Sequence, residues 1–364
     1  MEEKLNYFEA SFLIVIVVIT HIILEFPNAI INSTGSASVL NIIYITLIAL
    51  VFFLLIFKLL KPFSGNNILY VANYIGGKTL KVILSSIYIC YFVFISSLMI
   101  RGFCETLKVV YFPKANTMLL IGAFIITAAL AVILGYRNVI KANTLLVPLI
   151  LFTMVIVFVA SFKSFDTSRI FPILGNGLNE TFIKGISNIY TLGGLIYIYL
   201  IGPSLKNVND FKKVGILSII LSSSYLLLSV TSTLMLFPFL NTGNNVLSVY
   251  LSTRTIHFGN FLPRSDTIFM FVWIFNFLLY LSVVLLYIGK VYKDNINTKN
   301  QNLVTIVFAI AIFIVSLIPQ NSMQITFLKN VVYKNLALFI VFVLSPAILL
   351  IGYFKKRKEI KSWI

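Results

Sequence analysis

Apolar residues come in runs of about twenty, separated by short gaps that hold most of the charge. A bilayer core of about 30 Å is crossed by roughly 20 apolar residues in an α-helix. Ten runs reach that length, at about 8–31, 39–60, 79–104, 116–135, 139–162, 182–203, 214–239, 267–290, 302–319 and 335–354. None of the gaps is long enough for a soluble domain. The pattern therefore predicts an all-α integral membrane protein, one transmembrane domain over 1–364, with helices 1–5 over about 8–162 and helices 6–10 over about 182–354.

Composition agrees: 59% of residues are hydrophobic, 11% are charged and mean hydropathy is +1.00, where soluble domains carry roughly 25% charged residues. A net charge of +17 would suit a nucleic-acid binder if the cations lay together on a soluble face. They lie in the gaps instead, so no nucleic-acid partner is expected. Placing both termini on one side gives that side 18 of the 28 Lys and Arg residues, including the run KKRKEIK at 355–361, and leaves 10 opposite. Positive charge stays cytoplasmic, so both termini are expected there, facing anionic lipid. The basic tail reads as a solvated segment that helps set orientation. Cys90 and Cys104 lie in one predicted helix, about 21 Å apart at 1.5 Å per residue, too far to pair. The N-terminal MEEKLNYFEA holds more acid than base and shows no small-residue cleavage site, so it is read as retained.

Helix 1 is interrupted. Within THIILEFPNAI at 20–30, His21, Glu25 and Pro27 break an apolar run. A charge at mid-membrane costs on the order of 3 kcal/mol, and an interior proline costs about as much. Helix 6 opens the second half and contains SNIYTLGG at 187–194. Transporters built from inverted repeats bind solutes where matching helices of the two halves are broken, because freed backbone groups survive at that depth only beside a cavity or inside protein. The competing reading ends helix 1 at the outer interface with Glu25, Phe26 and Pro27. His21 and Glu25 are four apart and share a face, which suits a buried hydrogen-bonded pair and also a proton relay. Gly193 and Gly194, behind Tyr190 and Thr191, would expose carbonyls to an ammonium group and half-helix amides to a carboxylate. Close helix packing through small residues is the other reading, and the helix 7 residues Ser222, Ser223, Ser224 and Thr231 read chiefly as packing. Helix 3 places Tyr88 and Tyr91 on adjacent turns, and helix 8 places Trp273, Asn276 and Tyr280 on one stripe. Of these, the asparagine inside a span is the strongest pointer. The chain has no HExxH, GxxxxGK[ST], CxxC or GxSxG, and its two histidines and two distant cysteines make a poor metal set. No enzyme chemistry, metal or cofactor is expected.

Four stretches carry a resemblance. FPILGNGLNETFIKG at 171–185, NFLPRSDTIFMFVWIF at 260–275, MIRGFCETLKVVYFPKANT at 99–117 and EFP at 25–27 resemble, in order, segments of the endospore germination permeases. The resemblance implies the B-type subunit of a nutrient germinant receptor, of the amino acid–polyamine–organocation superfamily with its LeuT-like five-plus-five inverted repeat and broken helices 1 and 6. It implies residence in the spore inner membrane, or cell membrane, of an endospore former. It also implies an A-type membrane subunit and a C-type lipoprotein as partners, and a germinant such as an amino acid as ligand. Carried over by position, the site falls on Thr20, His21 and Pro27, and on Tyr190, Thr191, Gly193 and Gly194; Arg264 and Asp266 become a structural ion pair or gate. The family usually has glycine near the middle of helix 1, where this chain has Thr20 and His21. A hydroxyl or imidazole then stands where bare backbone would meet a ligand carboxylate. An ion-coupled amino acid transporter and a membrane scaffold for partner subunits are the alternatives to a sensor.

Overall fold

The computed structural model describes residues 4–24, 26–237, 265–296 and 300–362. Its helices are α1 (Tyr7–Leu24), α2 (Phe26–Thr34), α3 (Ser38–Leu60), α4 (Ile68–Val110), α5 (Thr117–Ile133) and α6 (Tyr136–Ala160). They continue with α7 (Asn179–Ser204), α8 (Phe211–Leu236), α9 (Ser265–Asn295), α10 (Gln301–Ser316) and α11 (Ser322–Glu359). Among the described residues no sheet forms; one isolated bridge joins Leu5 to Leu205. Among the described residues seven helical stretches are long and apolar enough to cross a bilayer, and three shorter apolar helices, Tyr7–Ile22, Thr117–Ile133 and Gln301–Ser316, lie in the predicted runs 1, 4 and 9.

Burial separates the helices. Leu13 through Ile19 of α1 are shielded on every side, because α1 packs against α6, α7, α8 and α9. A helix apolar all round belongs in such a centre. By contrast α5 and α10 turn Leu119, Ile126 and Leu130, and Leu303, Ile306, Ile310 and Ile314, outward. An outward apolar face of that kind suits lipid rather than water.

Two helices start earlier than their apolar runs. α4 begins at Ile68, with the Asn67 side chain accepting from Tyr70 N, and bends where Gly76 and Gly77 leave helical geometry. The first turns bury Ile68, Leu69, Val71 and Ala72 against the bundle, an amphipathic pattern that a search for unbroken hydrophobicity passes over. α11 begins at Ser322 rather than near 335, for the same reason.

The first described residues and the end of α11 lie at one end of the bundle. Leu5 N donates to Ser204 O at 2.7 Å and Lys206 N to Leu5 O at 2.8 Å, while Lys355 Nζ donates to Tyr74 O at 2.9 Å. At the opposite end, the FPILGNG loop clamps the turn between α2 and α3. Gly175 has φ +51, and a Cβ there would lie 2.2 Å from Thr34 O, so only glycine fits this contact.

Candidate functional site

α1 is described to Leu24 and α2 from Phe26, so the expected interruption falls on a position outside the described residues. Pro27 is the second described residue of α2. Glu25 lies outside the described residues.

α7 is irregular over most of its length. A π turn, Asn179–Lys184, leads into thirteen residues of 3-10 helix, Gly185–Tyr197, and then one α turn, Ile198–Ile201. Runs of 3-10 helix longer than about four residues are uncommon, because their hydrogen bonds are poor. Asn41 of α3 supports this one. Its buried Nδ2 donates to Thr181 O at 2.7 Å and to Gly185 O at 3.1 Å, while its Oδ1 accepts from Asn188 Nδ2 at 2.9 Å. Asn188 also donates to Ser33 Oγ of α2 at 3.0 Å. One amide from α3 thus holds the irregular start of α7.

The end of α1 and the irregular stretch of α7 meet at His21. Its Nε2 is 3.2 Å from Tyr280 Oη of α9, and its Nδ1 is 3.3 Å from Tyr333 Oη of α11. Tyr333 Oη donates in turn to the main-chain oxygen of Tyr190 in α7, at 3.5 Å. A phenol has one proton. With that of Tyr333 directed at Tyr190 O, the neutral Nδ1–H tautomer completes the chain: Tyr280 donates to Nε2, and Nδ1–H donates to Tyr333. Four helices are joined by one line of hydrogen bonds. Phe26 stacks on Tyr333 with centroids 6.1 Å apart and planes 5° apart, and meets Tyr190 edge-on at 5.2 Å. Tyr91 stacks on Tyr333 from α4 at 6.3 Å. All six of these aromatic side chains are buried, so rings fill the space between these segments.

Beside this line, Asn276 Nδ2 donates to Thr20 Oγ1 at 3.0 Å, and Thr20 donates to Ile16 O at 2.7 Å. Asn276 Oδ1 is buried without a partner. Tyr91 Oη stands beside Tyr333 Oη at the face of Gly193, short of hydrogen-bond geometry. A Cβ on Gly193 would lie 2.7 Å from Tyr333 Oη; one on Gly194 would lie 2.8 Å from Val18 Cγ2 and 3.2 Å from Val18 N. Gly194 thus lets α7 approach α1, and Gly193 makes room for the tyrosines.

Of the residues expected at the site, Thr20, His21, Tyr91, Tyr190, Gly193, Gly194 and Asn276 come together here, and Pro27 lies on the helix that carries Phe26. Thr191 turns back to its own chain, donating to Asn188 O at 2.8 Å. Tyr88 lies apart, its Oη 2.6 Å from Ser345 Oγ of α11. Arg264 is outside the described residues, and Asp266 is in the first turn of α9, where only the backbone is described. The imidazole of His21 is engaged by the two phenols. Cys90 and Cys104 are both free thiols.

Sequence reasoning missed Asn41, Phe26, Tyr333 and Lys329. The last two lie on a π turn, Leu328–Tyr333, near the start of α11, and such turns often mark functional sites. Lys329 is 2% exposed. A Cβ on Gly102 of α4 would lie 2.5 Å from its Nζ. The available signal was a lone lysine inside the apolar stretch ITFLKNVVY. Among the described residues no group of His, Cys, Asp and Glu is arranged to hold a metal.

Comparison with known proteins places this geometry. A family profile described as spore germination protein matches residues 4–325. The chain belongs to the spore germination protein family. It is 23% identical over 260 residues to spore germination protein KB of Bacillus subtilis (strain 168), covering 68% of this chain and 67% of that one. It is 24% identical over 279 residues to spore germination protein GerQB of Bacillus cereus, covering 76% of each. Among solved structures, a Na+-coupled sialic acid symporter in its substrate-bound outward-open state superposes with a TM-score of 0.65 at 12% identity, over 94% of this chain and 80% of that one. That likeness shows the fold: a LeuT-like helical bundle of the transporter type. Family and fold are those of membrane permeases and transporters rather than enzymes.

Proposed function

We propose that this chain is the germinant-sensing B-type subunit of a spore germination receptor, and that it binds a small molecule, an amino acid, between α1, α4, α7, α9 and α11. The observation that carries this reading is the hydrogen-bonded line from Tyr280 through His21 and Tyr333 to Tyr190 O, which joins the end of α1 to the irregular stretch of α7. The arrangement offers both kinds of partner that a zwitterion needs. Asn276 Oδ1 and the Tyr190 carbonyl accept from an ammonium group; the phenols and the imidazole N–H donate to a carboxylate.

The rings fill the site, so a ligand enters by displacing Phe26 or Tyr333. That displacement supplies the switch. A ligand shifts a conformational equilibrium only by binding one state better than the other, and a solute that separates Tyr333 from His21 favours a state in which α11 and α7 move apart. An A-type membrane subunit and a C-type lipoprotein read out that movement in the spore inner membrane, with both termini on the cytoplasmic side.

The test is direct binding of amino acids to the purified chain, with His21→Phe as comparator. Saturable binding that the variant lacks supports the reading, and no binding of any amino acid by wild type sinks it. The symporter likeness favours one other reading, ion-coupled uptake. Counterflow of labelled amino acid in proteoliposomes separates the two, since a sensor shows none. Copurification of the two partner subunits in mild detergent tests the receptor assignment itself.

A further inference from the structure

At the terminal end of the bundle a cavity of about 350 Å³ lies between the end of α7, the end of α9 and the loop before α4, lined among others by Asn67, Ser204, Tyr287, Lys290, Lys293 and Asp294. Lys290 and Lys293 are one helical turn apart on α9 and share a face. Lys290 Nζ donates to Tyr136 Oη at 2.8 Å and to Ser204 Oγ at 3.1 Å, with the Tyr136 ring 4.3 Å away. Among the described residues that line the cavity the carboxylate is Asp294, whose Oδ2 accepts from Asn67 Nδ2 at 2.9 Å; outside the lining, Lys81 donates to the main-chain oxygen of Asp294. Two lysines and one carboxylate make the described lining cationic.

Its deepest polar group is the second observation. Tyr287 is 1% exposed and lines the cavity, yet its Oη has no hydrogen-bond partner. A buried hydroxyl left unpaired costs about 1–3 kcal/mol. An occupant that accepts from Tyr287 while meeting the ammonium groups of Lys290 and Lys293 relieves that cost. Several acceptor oxygens on one anionic centre, met by point-charge lysines and a phenol, describe a phosphate group.

We infer that this cavity binds a phosphate group, supplied by an anionic lipid headgroup or by a soluble phosphate. The location suits either source: basic pockets between helices at the cytoplasmic end of a bundle take lipid phosphates, and the same end meets solution. The occupant ties the end of α7 to the end of α9. Tyr197 of α7 already meets Tyr287 edge-on at 4.6 Å and stacks on Phe92 of α4 at 4.9 Å, so the tie lies on the same helices as the central site without sharing a residue with it.

The experiment follows thermal unfolding of the full chain in maltoside micelles, titrated with inorganic phosphate, with short-chain phosphatidylglycerol, and with sodium chloride at matched ionic strength. Wild type unfolds at higher temperature with a phosphate-bearing ligand than with chloride. Lys293→Gln weakens half-saturation roughly tenfold, as loss of a charge-assisted hydrogen bond predicts, and Tyr287→Phe weakens it less. A response to inorganic phosphate assigns a soluble ligand, and a response to phosphatidylglycerol alone assigns a headgroup. Phosphorus NMR line broadening of the same ligands reports binding if a variant does not fold. No shift beyond chloride, or equal affinity in wild type and both variants, overturns the site.

Discussion

The two segments expected to be interrupted build the site by opposite means. α1 and α2, on either side of the undescribed residue 25, contribute side chains, Thr20, His21 and Phe26. α7 breaks gradually, over thirteen residues of 3-10 helix, and contributes main chain. Its Tyr190 carbonyl accepts from Tyr333, its two glycines clear space, and its loosened carbonyls are held by Asn41 of α3. Of the two segments, α1 with α2 supplies side chains and α7 supplies main chain. The first segment owes its polarity to its own residues; the second depends on a residue from elsewhere.

The largest effect belongs to the contact between the two segments. Gly194→Leu places a branched side chain where a single Cβ already falls 3.2 Å from the Val18 backbone nitrogen, and backbone does not yield. Overpacking of this kind costs typically 1–3 kcal/mol for extra methylenes alone, and here a whole helix must withdraw. The expected outcome is loss of monodisperse folded protein on size-exclusion chromatography. A folded Gly194→Leu protein with an unchanged unfolding temperature would mean that α7 does not lie against α1.

Asn41→Leu comes next and strikes the second segment alone. It removes the Asn41 hydrogen bonds to the Thr181 and Gly185 carbonyls and from the Asn188 amide, which keeps Ser33 as acceptor; a buried polar group left unpaired costs about 1–3 kcal/mol. The unfolding temperature should fall clearly, and protection from hydrogen exchange should drop at 181–190 while α1 keeps its own. Equal loss across both helices would show that the segments fold as one unit and that their contrast is only geometric.

The two segments also differ in how far they could be read from sequence. Pro27 and the pair Gly193–Gly194 announce themselves, because each is costly inside an ordinary helix. Asn276 stood out as an asparagine in a span, and its partner Thr20 lay in a segment already singled out. Asn41 gave no such sign. It is a small polar residue in an apolar helix, and its partner Asn188 is 147 positions away, so only tertiary structure reveals what it holds. Lys329 and Tyr333 escaped because the apolar run was taken to begin near 335, and because a π turn has no hydrophobic period of its own. The helical class, the membrane setting and the irregular stretch of α7 were legible as local chemistry. The side chains that complete the site from α3 and α11 were not, since their role is set by contacts distant in sequence.

Thr20→Val tests the first segment more gently. The shape of residue 20 is kept, but Asn276 Nδ2 loses its acceptor while Asn276 Oδ1 is already unpaired. The stability cost is about 1–3 kcal/mol. The informative readout is ligand affinity: with Asn276 released, binding should change by more than the Asn41→Leu variant changes it at matched stability. The reverse ranking would move recognition from the side chains of α1 and α2 to the backbone of α7.

The smallest effect lies on a direct hydrogen bond between α2 and α7, Asn188 Nδ2 to Ser33 Oγ. Ser33→Ala removes an acceptor at a half-buried position, and Asn188 retains Asn41, so the cost is about 0.5–1.5 kcal/mol. Its value is in combination. If α2 and α7 are coupled through this bond, then Ser33→Ala and Asn41→Leu together cost less than the sum of the two, because each acts on Asn188 and the second loss finds part of its energy already gone. Strict additivity in the double-mutant cycle would show the reverse: two segments that share a site and a ligand, yet are held in shape independently.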